Sequence, residues 1–144
     1  MEIVFKDLDS LKKAVADCGL EFREGQKTYR WYGRWMNDFG GENAAYRNGI
    51  KPEDYGKCEH AIGVPKSAQA YEIGVVKNPN GPGYVLVVDF WNGGYGLEAL
   101  AGKDCTKLAQ AYGVQVNRKT LTGMGFQVTK KVLKDGTVRL HCTR

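Results

Sequence analysis

The stretch Tyr29-Arg30-Trp31-Tyr32-Gly33-Arg34-Trp35 interleaves aromatic and cationic side chains. On an extended backbone successive side chains alternate, so Tyr29, Trp31, Gly33 and Trp35 share one side and Arg30, Tyr32 and Arg34 the other. Single-stranded nucleic acid is held by stacking on aromatic rings, at about 1–3 kcal/mol per base, together with cations along its backbone. Arg30, Tyr32 and Arg34 would supply both from one surface. The same alternation equally describes a strand whose tryptophans enter the core while its arginines stay solvated, because aromatic residues favour strands for packing reasons alone.

A second stretch, Asn92-Gly93-Gly94-Tyr95-Gly96, follows an apolar run. Gly93 and Gly94 would let backbone N–H groups approach a phosphate closely, with Tyr95 as a stacking lid over it. No Gly-Lys-Ser/Thr follows, so this is not a P-loop, and a tight turn accounts for the glycines as well. Asp89 lies beside Phe90 and Trp91, where desolvation would raise its pKa and make it a candidate acid–base group. Glu98 across the glycines and His60 elsewhere are its candidate partners. Capping the next loop through its backbone is the plainer role for Asp89. No set of nucleophile, base and orienting group marks a reaction class, and the sequence asks for no cofactor.

A third candidate surface is the segment from Asn37 to Lys57, poor in apolar periodicity and rich in Gly, Asn, Asp and Glu. It carries Phe39, Tyr46, Arg47 and Tyr55, and Tyr and Arg are over-represented where proteins grip one another. The alternative is a loop folded back over one sheet face. Four cysteines (Cys18, Cys58, Cys105, Cys142) and two histidines (His60, His141) raise a zinc site, but no C-x-x-C pair is present. His141 and Cys142, adjacent on a strand, would point to opposite faces. Buried thiols are the expectation, with no metal.

Positioning these groups takes a domain whose elements the pattern lays out in order. An apolar opening at 2–5 reads as a strand. Asp7 or Asp9 then caps a helix with Leu8, Leu11, Val15 and Cys18 on its apolar side and Gly19 past its end. Strands are expected at 20–23, 59–64, 71–76 and 84–91, with the turn-rich residues 78–83 joining the last two. A helix is expected from about Lys103 to Tyr112, a second piece from Asn117 to Met124, and a terminal hairpin from 126–133 and 137–143 turning on Asp135-Gly136. Meander order implies an α+β fold: a mostly antiparallel sheet, two helical regions packed on one face, and a closing β-hairpin. A single domain over 1–144, with an irregular insertion at about 37–57, fits the length.

The chain carries 21 Lys and Arg against 16 Asp and Glu, a net +5, which favours polyanionic partners. The longest apolar stretch is far below the ~20 residues of a membrane span, and no signal-peptide pattern opens the chain, so a cytoplasmic protein is expected.

Several short motifs occur in a recognisable order: Leu11-Lys12-Lys13-Ala14 leading to Gly19, Tyr71-Glu72-Ile73-Gly74, Val88-Asp89-Phe90-Trp91, Leu108-Ala109-Gln110-Ala111-Tyr112, Gly125-Phe126-Gln127-Val128 and Asp135-Gly136-Thr137-Val138-Arg139-Leu140. In these the chain resembles a family of unknown function, found as a conserved hypothetical reading frame in red-algal plastids and cyanobacteria, with bacteriophage members. Against that family, the segment from Arg34 to about Pro65 looks like an addition. The resemblance implies the fold and brings no catalytic residue. It also implies a phage or mobile-element origin, in which the 37–57 loop would bind and inhibit a host protein. The leading expectation is a non-enzymatic protein that binds single-stranded nucleic acid or a nucleotide-like anion. The alternatives are that inhibitor, or a small hydrolase or transferase using Asp89.

Overall fold

The computed structural model describes residues 3–31, 56–88 and 91–144, the side chain of Trp91 excepted. Helix α1 (Leu8–Asp17) starts at the expected cap: the Asp7 carboxylate accepts from the Ser10 amide, which satisfies one of the free N–H groups of the first turn. Leu11, Ala14 and Val15 are buried on its inner side. Gly19, at φ 74°, turns the chain out of the helix. Among the described residues the strand expected at 2–5 is reduced to one bridge, in which Phe5 and Tyr84 exchange backbone hydrogen bonds of 2.8 and 2.9 Å. Helix capping by Asp7, two residues later, ends the extended backbone there.

Strands β1 (Glu21–Arg23), β2 (His60–Gly63), β3 (Ile73–Lys77) and β4 (Tyr84–Val87) form an antiparallel sheet in chain order. The run expected as one strand over 84–91 ends at Val87. The register places Phe22 opposite Ile62, Ile62 opposite Ile73, and Val75 opposite Leu86. That side of the sheet packs on Leu11, Val15, Leu97 and Leu108 to make the main core.

Two further helices complete this layer. The short α2 (Leu97–Ala101) was not expected from the sequence, and it buries Leu97 and Ala101. Helix α3 (Thr106–Gly123) is one uninterrupted piece where two were expected. Leu108 and Val114, both buried, hold it across Gly113, and their packing outweighs the ~1 kcal/mol that glycine takes from a helix. Helix α3 packs along α1, with the Tyr112 hydroxyl accepting from the Lys6 and Asp7 amides at 3.1 Å.

The chain closes with β5 (Gln127–Val132) and β6 (Val138–Thr143), a separate two-stranded antiparallel ribbon against α3. The fold is thus α+β: an antiparallel sheet, helices on one face, and a terminal hairpin. Among the described residues no helix is long and apolar enough to cross a membrane.

Candidate functional site

The sheet face opposite the helices is built on small residues. Ala61 pairs with Gly74 across β2 and β3, and Gly63 lies on the same side. A Cβ at Gly74 would come within 2.5 Å of the Tyr29 ring, and one at Gly63 within 2.5 Å of the Arg23 guanidinium. Both large side chains therefore lie flat on backbone that only glycine leaves open. Tyr29, Cys58, Ala61, Val85 and Val87 form a second, smaller buried cluster there, with Trp31 packed at its margin. Tyr29 and Trp31 share a side, as the alternation requires, and Trp31 takes the inward orientation. The described part of the stretch is not a strand of the sheet, however. Its backbone bonds go elsewhere: the Tyr29 amide to the Gly56 carbonyl at 3.0 Å, and Arg30 to Glu72.

Glu72 anchors this face. It is 4% exposed, and its carboxylate accepts from the Arg23 guanidinium, from Gln26 Nε2 at 2.9 Å and from the Arg30 amide at 2.9 Å. The Glu72 amide donates back to the Arg30 carbonyl at 2.9 Å. A buried carboxylate needs this degree of pairing, and here it ties residues 23–30 to the entry of β3. The Arg30 side chain adds a further tie, its Nη1 donating to the Ala70 carbonyl at 2.8 Å.

One residue further on, the Tyr71 amide donates to the Gly94 carbonyl at 2.9 Å, and the Tyr71 and Tyr95 rings meet edge to face at 5.3 Å. The fold thus brings Arg30, Gly94 and Tyr95 to the two sides of a single dipeptide, Ala70-Tyr71. The glycine-rich stretch itself is a left-handed turn: Asn92, Gly93, Gly94 and Tyr95 have φ of 53°, 65°, 62° and 55°. L-residues visit this region singly rather than in runs. The turn is clamped by the Tyr71–Gly94 bond and by Leu97, whose Cβ would lie 3.0 Å from one at Gly94.

The remaining candidates divide into those occupied elsewhere and those outside the described residues. Tyr32, Arg34, Trp35, Phe39, Tyr46, Arg47, Tyr55 and Asp89 lie outside them. His60 is engaged structurally: its Nδ1 accepts from the Gly25 amide at 3.0 Å and its ring contacts Phe22 and Tyr84. Cys58 donates to the Gln26 carbonyl, and burial pushes its thiol up to about 12. Burial likewise takes Cys105 to about 12. His141 is exposed while Cys142 is half-buried, on opposite faces of β6, and no three His, Cys, Asp or Glu converge among the described residues.

Sequence reasoning missed Glu72, Arg23 and Gln26. The available signal was a lone carboxylate inside the apolar run Ala70-Tyr71-Glu72-Ile73-Gly74-Val75-Val76.

A family model described as "Protein of unknown function (DUF1257)" matches residues 36–141. No curated protein and no solved structure matches the chain. The match begins inside the segment expected as an addition and leaves out the Leu11–Gly19 motif. It covers well over half of the chain, including Glu72, the left-handed turn and most of the terminal ribbon, and on that coverage the protein belongs to the DUF1257 family of unknown function.

Proposed function

We propose that this chain is a non-enzymatic binding protein for single-stranded nucleic acid or a nucleotide-like anion, gripped by Tyr95 and Arg30 together with Tyr32 and Arg34. Tyr95 carries the reading. Left-handed backbone costs an ordinary side chain about 1–2 kcal/mol, and strain of this kind collects at ligand-contacting sites. At Tyr95 it presents a ring that is 46% exposed, two residues along the peptide network from the anchored guanidinium of Arg30. An exposed aromatic ring and a guanidinium, tied to neighbouring residues of the Ala70-Tyr71 dipeptide, suit a base and its adjoining phosphate. The net charge of +5 favours such a ligand.

The test is an anisotropy titration of labelled DNA and RNA single strands of about 12 nucleotides, within the site sizes such proteins cover. Affinity is expected to fall as salt rises, and to fall again in Arg30→Ala and Arg34→Ala. Undetectable affinity at low salt for every oligonucleotide and mononucleotide tried refutes the proposal.

A further inference from the structure

Charge is unevenly spread along this chain. Residues 106–144 hold eight Lys and Arg and a single acidic residue, Asp135, a net +7, where the whole chain is +5; residues 1–105 are therefore net −2. All of the excess positive charge resides in α3 and the ribbon. Such asymmetry between parts of a chain points to a polyanionic partner.

Two of these cations, Lys131 and Arg139, lie on the outer face of the ribbon. Gln127 pairs with Thr143, Thr129 with His141, and Lys131 with Arg139, and all six side chains are exposed. Residues directly opposite hold their Cβ atoms about 5 Å apart, and like charges so placed repel. Lys131 and Arg139 nevertheless face each other, and neither has an ion pair with a described residue. Lys134 extends the charge at the turn, while the Asp135 carboxylate is committed to the Thr137 amide at 2.9 Å. Lys130, on the inner face, turns toward Asp17 instead.

From this we infer that the outer face of the β5–β6 ribbon is a docking surface for double-stranded DNA. A two-stranded ribbon fits the B-form major groove, about 12 Å wide, and six residues span about 20 Å. Lys131, Arg139 and Lys134 meet phosphates, which relieves the cross-strand repulsion. Gln127, Thr129, His141 and Thr143 present short hydrogen-bonding groups to base edges. The face carries no Phe, Tyr or Trp, and the single imidazole of His141 is a poor platform for a run of unstacked bases, so a single strand has little to lie on. The face has no large apolar side chain either, which an anionic membrane surface would require. This surface does not depend on Tyr95 or Arg30.

The test uses the full chain and a duplex of about 20 base pairs, spanning roughly two turns of the groove, titrated between about 50 and 200 mM salt. Three phosphate contacts predict roughly a 40-fold loss of affinity over that range. Lys131→Gln with Arg139→Gln, both exposed substitutions, should flatten the log–log slope by about 1.8 without lowering the melting temperature. Tyr95→Asn should leave the duplex slope as it is. Loss of single-strand binding with duplex binding retained would remove the preceding proposal and support this one. No duplex binding at low salt, a slope unchanged in the double variant, or complete displacement of the duplex by phosphatidylserine vesicles would each overturn it.

Discussion

On the helix-bearing face of the sheet, Ile62, Ile73 and Val75 meet Leu11, Leu97 and Leu108, and each of the six is 0% exposed. On the opposite face Gly63 and Gly74 leave hollows that Arg23 and Tyr29 fill, and a buried carboxylate, Glu72, ties the covering segment down. The first face is held by area, where burying a large aliphatic side chain stabilises by about 1.5–3 kcal/mol. The second is held by a few polar bonds and by the absence of two Cβ atoms. It is therefore specific and easily broken. The contrast explains why the candidate site stands where it does. Arg30 reaches Ala70 only because Glu72 fixes the backbone on which Arg30 sits.

The largest effect expected from this contrast is at Glu72. Glu72→Ala leaves Arg23, Gln26 and the Arg30 amide without their shared acceptor and should lower stability by about 3 kcal/mol in urea denaturation. That is comparable to Leu108→Ala on the other face, at about 2–5 kcal/mol. The two should differ in character: Leu108→Ala loosens the helices, whereas Glu72→Ala releases the 23–31 segment. Amide exchange would show the release as faster exchange at Tyr29 and Arg30. A loss under about 1 kcal/mol at Glu72 would mean that this second face is not held by its carboxylate.

A smaller effect is expected at Gly74. Gly74→Ala drives a methyl into the Tyr29 ring and should destabilise by about 1–3 kcal/mol, whereas shape-conserving swaps among the aliphatic residues opposite cost less. A neutral Gly74→Ala would show that Tyr29 does not need the hollow.

The smallest concerns the Asp7 cap, which belongs to the helical layer. The hydrogen bond from Lys119, at 2.8 Å, and those from Ser10 hold the Asp7 carboxyl down to about 2. With the folded value below the unfolded one, its stabilisation is present above about pH 4 and is lost as pH falls toward 2. An NMR titration should find the Asp7 midpoint near 2, moving up toward the usual aspartate range in Lys119→Ala. An unmoved midpoint would remove Lys119 from the account.

Much of the helical layer was legible because its signals are local. Asp7, the apolar spacing of Leu11 and Val15, and Gly19 delimit α1 within a dozen residues, and Asp135-Gly136 marks the terminal hairpin. Helix α3 was read as two pieces because Gly113 weighs against it locally, while the packing of Leu108 and Val114 that overrides it is tertiary. The five-residue α2 is too short to show a period. The second face was not legible for a different reason. Glu72 meets Arg23 and Arg30 from 49 and 42 residues away, and nothing local distinguishes a carboxylate that will be buried and paired. The glycines at 93 and 94 were read as a turn, but their extension of left-handed backbone to Asn92 and Tyr95 follows from the clamp by Tyr71 and Leu97.

Tyr95→Asn provides the most direct measurement of the proposed binding role, because asparagine tolerates left-handed backbone and the substitution removes the ring alone. Single-strand affinity should fall about 5- to 150-fold, as the loss of one stacked base implies, with little change in melting temperature. Affinity equal to that of the unsubstituted protein would contradict the account, since Tyr95 would then be strained to no binding purpose.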